Sequence, residues 1–222
     1  IDPGQADAIV LSHGHYDHTG GLPLACARAP GALIYAHPAA TAPRYAIRDG
    51  AAKDIAMPGQ ARSALERHQG GVHWTAAPAQ ITADIGVTGP IPRHTDYEDT
   101  GGPFFSDPDG RSPDPITDDQ ALWMRTTRGL VVLVGCSHAG LVNTLRYCLG
   151  ISAAQKLHAV IGGFHLNAAG DARLDRTIAD LEDLDPFLIA PCHCTGVSAM
   201  RRLQQALGDR VAPCTAGTTF RF

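Results

Sequence analysis

The sequence predicts a layered α/β fold, and three observations carry that expectation. Short apolar runs rich in β-branched residues alternate with Ala- and Leu-rich stretches, as strands and helices packed in layers require. Four of those runs, at residues 8–11, 130–134, 159–161 and 187–190, each lead into a turn that bears histidine. The chain has 222 residues, 44% hydrophobic and 18% charged, the size and composition of one globular domain with a substantial core.

Taken in order, residues 8–11 (Ala-Ile-Val-Leu) predict the first strand, 20–29 a short helix and 32–35 a second strand. Residues 39–69 are rich in Ala and Arg with breaks at Pro43, Pro58 and Gly59, which predicts helical pieces joined by turns. Strands are expected at 72–75 and 81–87. The segment 101–119 holds Pro103, Pro108, Pro113 and Pro115 with Gly101, Gly102 and Gly110, so no regular element runs through it. A loop of that length reads either as a lid over a site or as a surface excursion. Residues 120–126, a turn at Thr127-Arg128-Gly129 and residues 130–134 predict a β-hairpin. A helix at 141–149 and a buried strand at 156–161 come next. Leu174, Ile178, Leu181 and Leu184 recur at helical spacing and predict an amphipathic helix over 172–184. A strand at 187–190, a helix at 198–207 and a closing strand at 218–222 complete the chain. No internal repeat is visible, so residues 1–222 read as a single domain.

A net charge of -4 gives no basic surface for nucleic acid or anionic lipid. No apolar stretch approaches the roughly 20 residues of a membrane span. The six cysteines, Cys26, Cys136, Cys148, Cys192, Cys194 and Cys214, match no small secreted disulfide scaffold. Reduced thiols in a cytoplasmic protein are the expectation. No C-x-x-C knuckle predicts a structural four-cysteine zinc site. A small-molecule substrate is therefore the expected partner, without nucleic acid or membrane, and a homo-oligomer stays open.

The strongest signal is His13-Gly14-His15-Tyr16-Asp17-His18 at the end of the first strand. In open α/β sheets ligands gather beyond the carboxyl ends of strands. Imidazoles and a carboxylate converging there form the donor set that Zn and related divalent ions take. Two imidazoles two residues apart reach one ion, while Asp17 and His18 turn with the loop toward a second. Gly14 allows the tight path. A solvated His-rich loop is the bland alternative, and four donors within six residues argue against it. His165 is read either as a hydrogen-bonded core residue or as a residue facing substrate, since Gly162 and Gly163 let backbone approach closely there. Cys136 and Cys194 read as packing or supporting residues, because a neighbouring His that binds metal is not free to act as their base. His37, His68, His73, His94 and His158 default to surface or packing roles, with His94 at a rim position beside Arg93.

The stretch Ser12-His13-Gly14-His15-Tyr16-Asp17-His18-Thr19-Gly20-Gly21-Leu22 resembles the metal-binding motif of the metallo-β-lactamase-fold superfamily. Further pieces, 89–93, 118–122, Gly135-Cys136-Ser137-His138-Ala139-Gly140, Gly162-Gly163-Phe164-His165-Leu166 and Pro191-Cys192-His193-Cys194-Thr195-Gly196, are similar to one branch of it. That branch includes the archaeal dihydropterin-linked synthase of methanopterin biosynthesis and bacterial relatives. The resemblance implies an αββα sandwich with a two-metal site at one sheet edge. It assigns His13 and His15 to the first ion, Asp17 and His18 to the second, and His193 as the last ligand on the second. Most of the superfamily has a bridging Asp after a Gly where this chain reads Gly135-Cys136-Ser137-His138. His138 is taken as the direct ligand there; Asp118 and Asp119, the alternative source of a carboxylate, are read as turn or helix caps. Superfamily members also carry hairpin strands ahead of the motif. Only twelve residues precede His13, so the domain is expected to be N-terminally incomplete.

Such a centre implies a metal-dependent hydrolase that uses a metal-bound hydroxide on an ester, phosphoester or lactone-like substrate. Two divalent ions are expected, Zn first, with Mn or Fe as alternatives. Asp17 and His165 take the catalytic roles. The second expectation is a transferase joining a dihydropterin diphosphate to an arylamine, with Arg93 or Arg44 on phosphate. The third is a non-catalytic metal-binding module.

Overall fold

The computed structural model describes residues 2–222. Strands β1 (Ala8–Val10), β2 (Leu33–Ala36) and β5 (Val72–Trp74) form a parallel three-stranded sheet in the order β1-β2-β5, with Ile9 opposite Ile34 and Tyr35 opposite His73. Helices α2 (Leu22–Arg28) and α3 (Gly59–Glu66) close over it. Leu11, Leu22, Ile34, Met57, Ala61 and Leu65 make the core between them. Pro23 sits in the first turn of α2, where its missing N–H costs no helical hydrogen bond.

A larger sheet faces the second half of the chain. It contains β6 (Ala79–Gln80), β7 (Ile85–Val87), β9 (Leu122–Thr126), β10 (Gly129–Val134), β11 (Leu157–Gly163) and β12 (Leu188–Cys192) in the order β12-β11-β10-β9-β7-β6. The β9–β10 hairpin is antiparallel, and β10, β11 and β12 run parallel. The intervening crossovers are α4 (Leu141–Ser152) and α5 (Asp171–Leu184); α6 (Val197–Leu207) comes after β12. Leu130, Val132, Leu145, Val160, Leu181, Ile189 and Leu203 form the core under these helices. Val131 is as fully buried as Leu130 and Val132, so both faces of β10 are covered, which is why the strand reads as an unbroken apolar run. Gln120 joins the two halves. Its side-chain and backbone nitrogens donate to the Leu11 and Ser12 carbonyls at 2.7 and 2.9 Å, and its side-chain oxygen accepts from Thr75 at 2.7 Å.

Several elements depart from the sequence expectation. Residues 45–54 form an antiparallel hairpin of β3 (Tyr45–Arg48) and β4 (Ala51–Asp54) instead of helix. Its turn is Asp49-Gly50, both with positive φ (51° and 76°), the tight turn that an Asp-Gly pair favours. Helix propensity of the surrounding Ala and Arg is overridden by this turn and by pairing to β8 (Phe104–Phe105). Through β8 the Pro- and Gly-rich segment is stitched to the hairpin. Residues 16–29 split into α1 (Tyr16–Thr19) and α2 at Gly20-Gly21. The strand at 81–87 shortens to β7, and α4 extends to Ser152. Residues 218–222 form no strand; the free edge of β12 bridges instead to Val211. Among the described residues, no helix is long and apolar enough to cross a membrane.

Candidate metal centre

The motif loop leaves β1 and is pinned from below. Gly14 N–H donates to Asp118 Oδ2 at 2.7 Å, and the buried Arg44 binds Asp118 Oδ1 at 2.5 Å and Asp114 at 3.2 Å. Gly14 is required for closeness and not for left-handed backbone: a Cβ there would lie 2.0 Å from the Ala40 carbonyl oxygen. Arg44, expected on phosphate, is thus held by two aspartates away from the pocket, and Arg93 reaches the Pro115 carbonyl. Neither Asp118 nor Asp119 is left to bridge ions. Asp118 is spent on Gly14 and Arg44, which is a cross-chain tie and not a local cap. Asp119 accepts from Ala139 N–H at 2.7 Å, and burial pushes its carboxyl up to about 7.

The donors fall into two adjoining groups. His13, His15 and His138 are all buried, with ligand atoms within 4.8 Å of one another. His13 Nε2 lies 3.0 Å from His15 Nδ1. Asp17, His18 and His193 form the second group: Asp17 Oδ2 is 3.5 Å from His18 Nε2 and 3.4 Å from His193 Nε2, and the two Nε2 atoms are 3.1 Å apart. Ser12 Oγ holds the Nδ1 atoms of His13 and His18, at 3.1 and 3.3 Å, which turns both Nε2 atoms inward. His138 Nδ1 donates to the Thr100 carbonyl at 2.8 Å, so its Nε2 keeps a free lone pair.

Strand ends aim the later donors. Ser137, His165 and His193 come just after β10, β11 and β12, and all three adopt left-handed backbone (φ 57°, 48° and 51°). Such strain in residues with a side chain costs about 1–3 kcal/mol each and gathers where geometry serves a site.

These residues fit a divalent ion. His138 Nε2 is buried with no hydrogen-bond partner, an arrangement that costs free energy unless another group takes the lone pair. Burial, then the neighbouring imidazoles, pushes His13 and His138 well below the ordinary histidine range. Burial, then Arg44, brings His15 down to about 4, and burial lowers His18. Neutral imidazole is the ligating form.

Cys136, read from the sequence as a packing or supporting residue, lies against the donors. Its sulfur is 3.1 Å from His18 Nε2, and it groups separately with His13 and His18, with His138 and His165, and with His193 and Cys194. It is the residue immediately after Gly135, the place where the superfamily carries its bridging acid, and that position was the available signal. Cys194 is drawn down to about 4, first by the hydrogen bond from Cys136 and then by His165. His165 packs 4.3 Å from the His138 ring, and its Nδ1 is buried without a partner.

A pocket of about 530 Å³ opens beside these donors. His15, Asp17, His138, His165 and His193 line it together with residues of the β3–β4 hairpin. The Pro- and Gly-rich segment contributes Phe104, whose ring is 5.3 Å from both His15 and His138. His37, His68 and His158 lie outside this constellation: His37 accepts from Ala39 N–H, His68 meets the Ala32 carbonyl and His158 stacks on Phe187.

Residues 1–154 match the family model described as the metallo-beta-lactamase superfamily. The chain is 30% identical over 233 aligned positions to the 7,8-dihydropterin-6-methyl-4-(beta-D-ribofuranosyl)-aminobenzene-5'-phosphate synthase of Methanocaldococcus jannaschii, covering 100% of this chain and 77% of that protein. An uncharacterised protein of the same organism is 33% identical over 201 positions, 90% of this chain and 73% of its own length. Among solved structures, Tm1679, described as a metal-dependent hydrolase of the beta-lactamase superfamily, superposes with a TM-score of 0.82 at 26% identity over 96% of this chain and 78% of its own. An isothiocyanate hydrolase from Delia radicum gut bacteria shares the fold alone, with a TM-score of 0.55 at 16% identity over 98% of this chain and 77% of its own. With the donor-bearing turns at the carboxyl ends of both sheets' strands, these likenesses give one answer: the chain belongs to the metallo-beta-lactamase superfamily.

Proposed function

We propose that residues 1–222 act as one domain, a metal-dependent hydrolase of esters, phosphoesters or lactones. The observation that carries this reading is the pair of adjoining three-donor groups, one of buried imidazoles and one containing Asp17, beside a pocket that His15, Asp17, His138 and His193 line. His13, His15 and His138 would hold one ion, and Asp17, His18 and His193 a second. The histidine-rich donor sets favour zinc over the harder manganese. A divalent ion there supplies Lewis acidity and acidifies water. The chain's own groups do the rest. Asp17 orients the attacking water and accepts its proton. His165 faces the pocket and hydrogen-bonds the leaving side of the substrate. Phe104 screens the donors from solvent, which strengthens each charge interaction inside. Six free cysteines suit a reducing cytoplasm.

A second reading is favoured by the 30% identity to a synthase: transfer between a dihydropterin diphosphate and an arylamine. Metal analysis of the purified chain, then ester, lactone and phosphodiester panels with and without chelator, tests the proposal. The expected result is two equivalents of divalent metal and turnover that chelator abolishes. Metal without turnover of any panel member would overturn the hydrolase and leave a binding module, unless condensation of a pterin diphosphate with an arylamine is then observed.

A further inference from the structure

The hairpin's share of the pocket lining has its own chemistry. Ala46, Arg48, Ala51, Lys53 and Ile55 all line the pocket. They are alternate residues of the hairpin, and alternate residues of a strand share one face. The register sets Ala46 opposite Lys53 and Arg48 opposite Ala51. Arg48 and Lys53 are therefore diagonal neighbours, with backbone positions roughly 7–8 Å apart, and the two alanines leave room between their side chains. Of the hairpin's two acidic residues, Asp49 lies in the turn, and Asp54 pairs with Tyr45 on the opposite face and accepts from Ala56 N–H.

Neither cation has a carboxylate within salt-bridge distance among the described residues, whereas Arg111, Arg125, Arg146, Arg176, Arg202 and Arg210 each pair with an aspartate. The Lys53 ammonium is also positioned. It donates to Tyr16 Oη at 3.3 Å and lies 4.8 Å over the Tyr16 ring, one residue before Asp17. A chain of net charge -4 repels anions at long range, so two uncompensated cations on a pocket wall are a local reversal of its field.

Resting on the hydrolase reading, we propose that Arg48 and Lys53 form an anion subsite, and that the natural substrate carries a phosphate- or carboxylate-type group remote from the bond that is cleaved. The anion sits between the two side chains, and the rest of the substrate extends through the cavity toward Phe104 and the metal donors. Arg44 and Arg93, the arginines that the linear sequence suggests, are engaged elsewhere; the hairpin supplies the cations instead.

The test uses p-nitrophenyl esters matched in length, with the acyl chain ending in a methyl, a carboxylate or a phosphate. The kcat/KM ratio of each anionic ester to the neutral one is measured for the metal-loaded wild type and for Arg48→Ala with Lys53→Ala. Losing charge-assisted hydrogen bonds should lower the ratio at least about tenfold at low salt, with the loss falling in KM. The carboxylate and phosphate arms tell which group is preferred. Arg48→Met and Lys53→Met, which keep the aliphatic stems, should show the same direction if charge and not hairpin packing is responsible. Calorimetric titration with glutarate and phenyl phosphate separates this proposal from the hydrolase reading. If no ester turns over, hydrolysis falls, while weaker anion binding in the double variant still supports the subsite. Unchanged ratios, or equal anion affinities in wild type and double variant, overturn it.

Discussion

His15 shows how one residue's environment sets the behaviour of the whole centre. Its imidazole is buried with an orphaned Nε2, and burial holds it neutral down to about 4. A histidine whose folded value lies below its unfolded value of about 6.5 leaves the unfolded chain with more bound protons between those two pH values. Stability of the metal-free protein is then complete above the unfolded value and is lost as pH falls toward 4. For His15 alone the effect is about 3 kcal/mol, at ~1.4 kcal/mol per unit. Asp119, raised to about 7 by burial, works in the opposite sense and over a similar span. His13, His18 and His138 shift in the same direction as His15, so the histidines prevail. The urea midpoint of chelator-treated protein should therefore rise between about pH 4.5 and 6.5, following the imidazoles; a flat or falling midpoint would contradict the neutral cluster. The donors themselves are legible from the linear motif, because four sit within six residues. Cys136 is not, because a thiol beside a histidine has the same spelling whether it packs or ligates.

At the scale of elements, the fold's regular pieces arise from periodicity and its irregular ones from turn chemistry. The amphipathic α5 is readable from Leu174, Ile178 and Leu181, all buried as their spacing requires. The hairpin at 45–54 is hidden by Ala-rich composition, and only the Asp49-Gly50 turn marks it. Its pairing with β8 depends on residues about sixty positions away, which no local window contains. Helix α4 ends in the same kind of local conflict. Ala153 occupies the left-handed position after its last turn, at φ 54°, and is exposed. Left-handed backbone costs an alanine about 1–2 kcal/mol, while glycine adds about 0.4–1 kcal/mol of unfolded-state entropy. Ala153→Gly should therefore stabilise the protein by about 0.5–1 kcal/mol in urea unfolding. A destabilised variant would mean that the αL residue is not strained.

For the whole molecule, the proposed centre would act as a cross-link as well as a reactive site. The motif loop after β1, the turn after β10 and the turn after β12 all contribute donors, so a bound ion joins both sheets. An ion present at 100 times its dissociation constant should add about 2.7 kcal/mol per site. Chelation should lower the melting temperature by several degrees, and zinc should restore it; an unchanged melting curve would show that the donors do not share an ion. This convergence is the part of the architecture that the sequence reveals least directly, since His18 and His193 meet at 3.1 Å across 175 positions. It also has a consequence for biosynthesis. In chain order the donors His13, His15 and His138 all come before β12, whereas the second group needs His193 beyond it. During synthesis the proposed first ion site would therefore be assembled before the second.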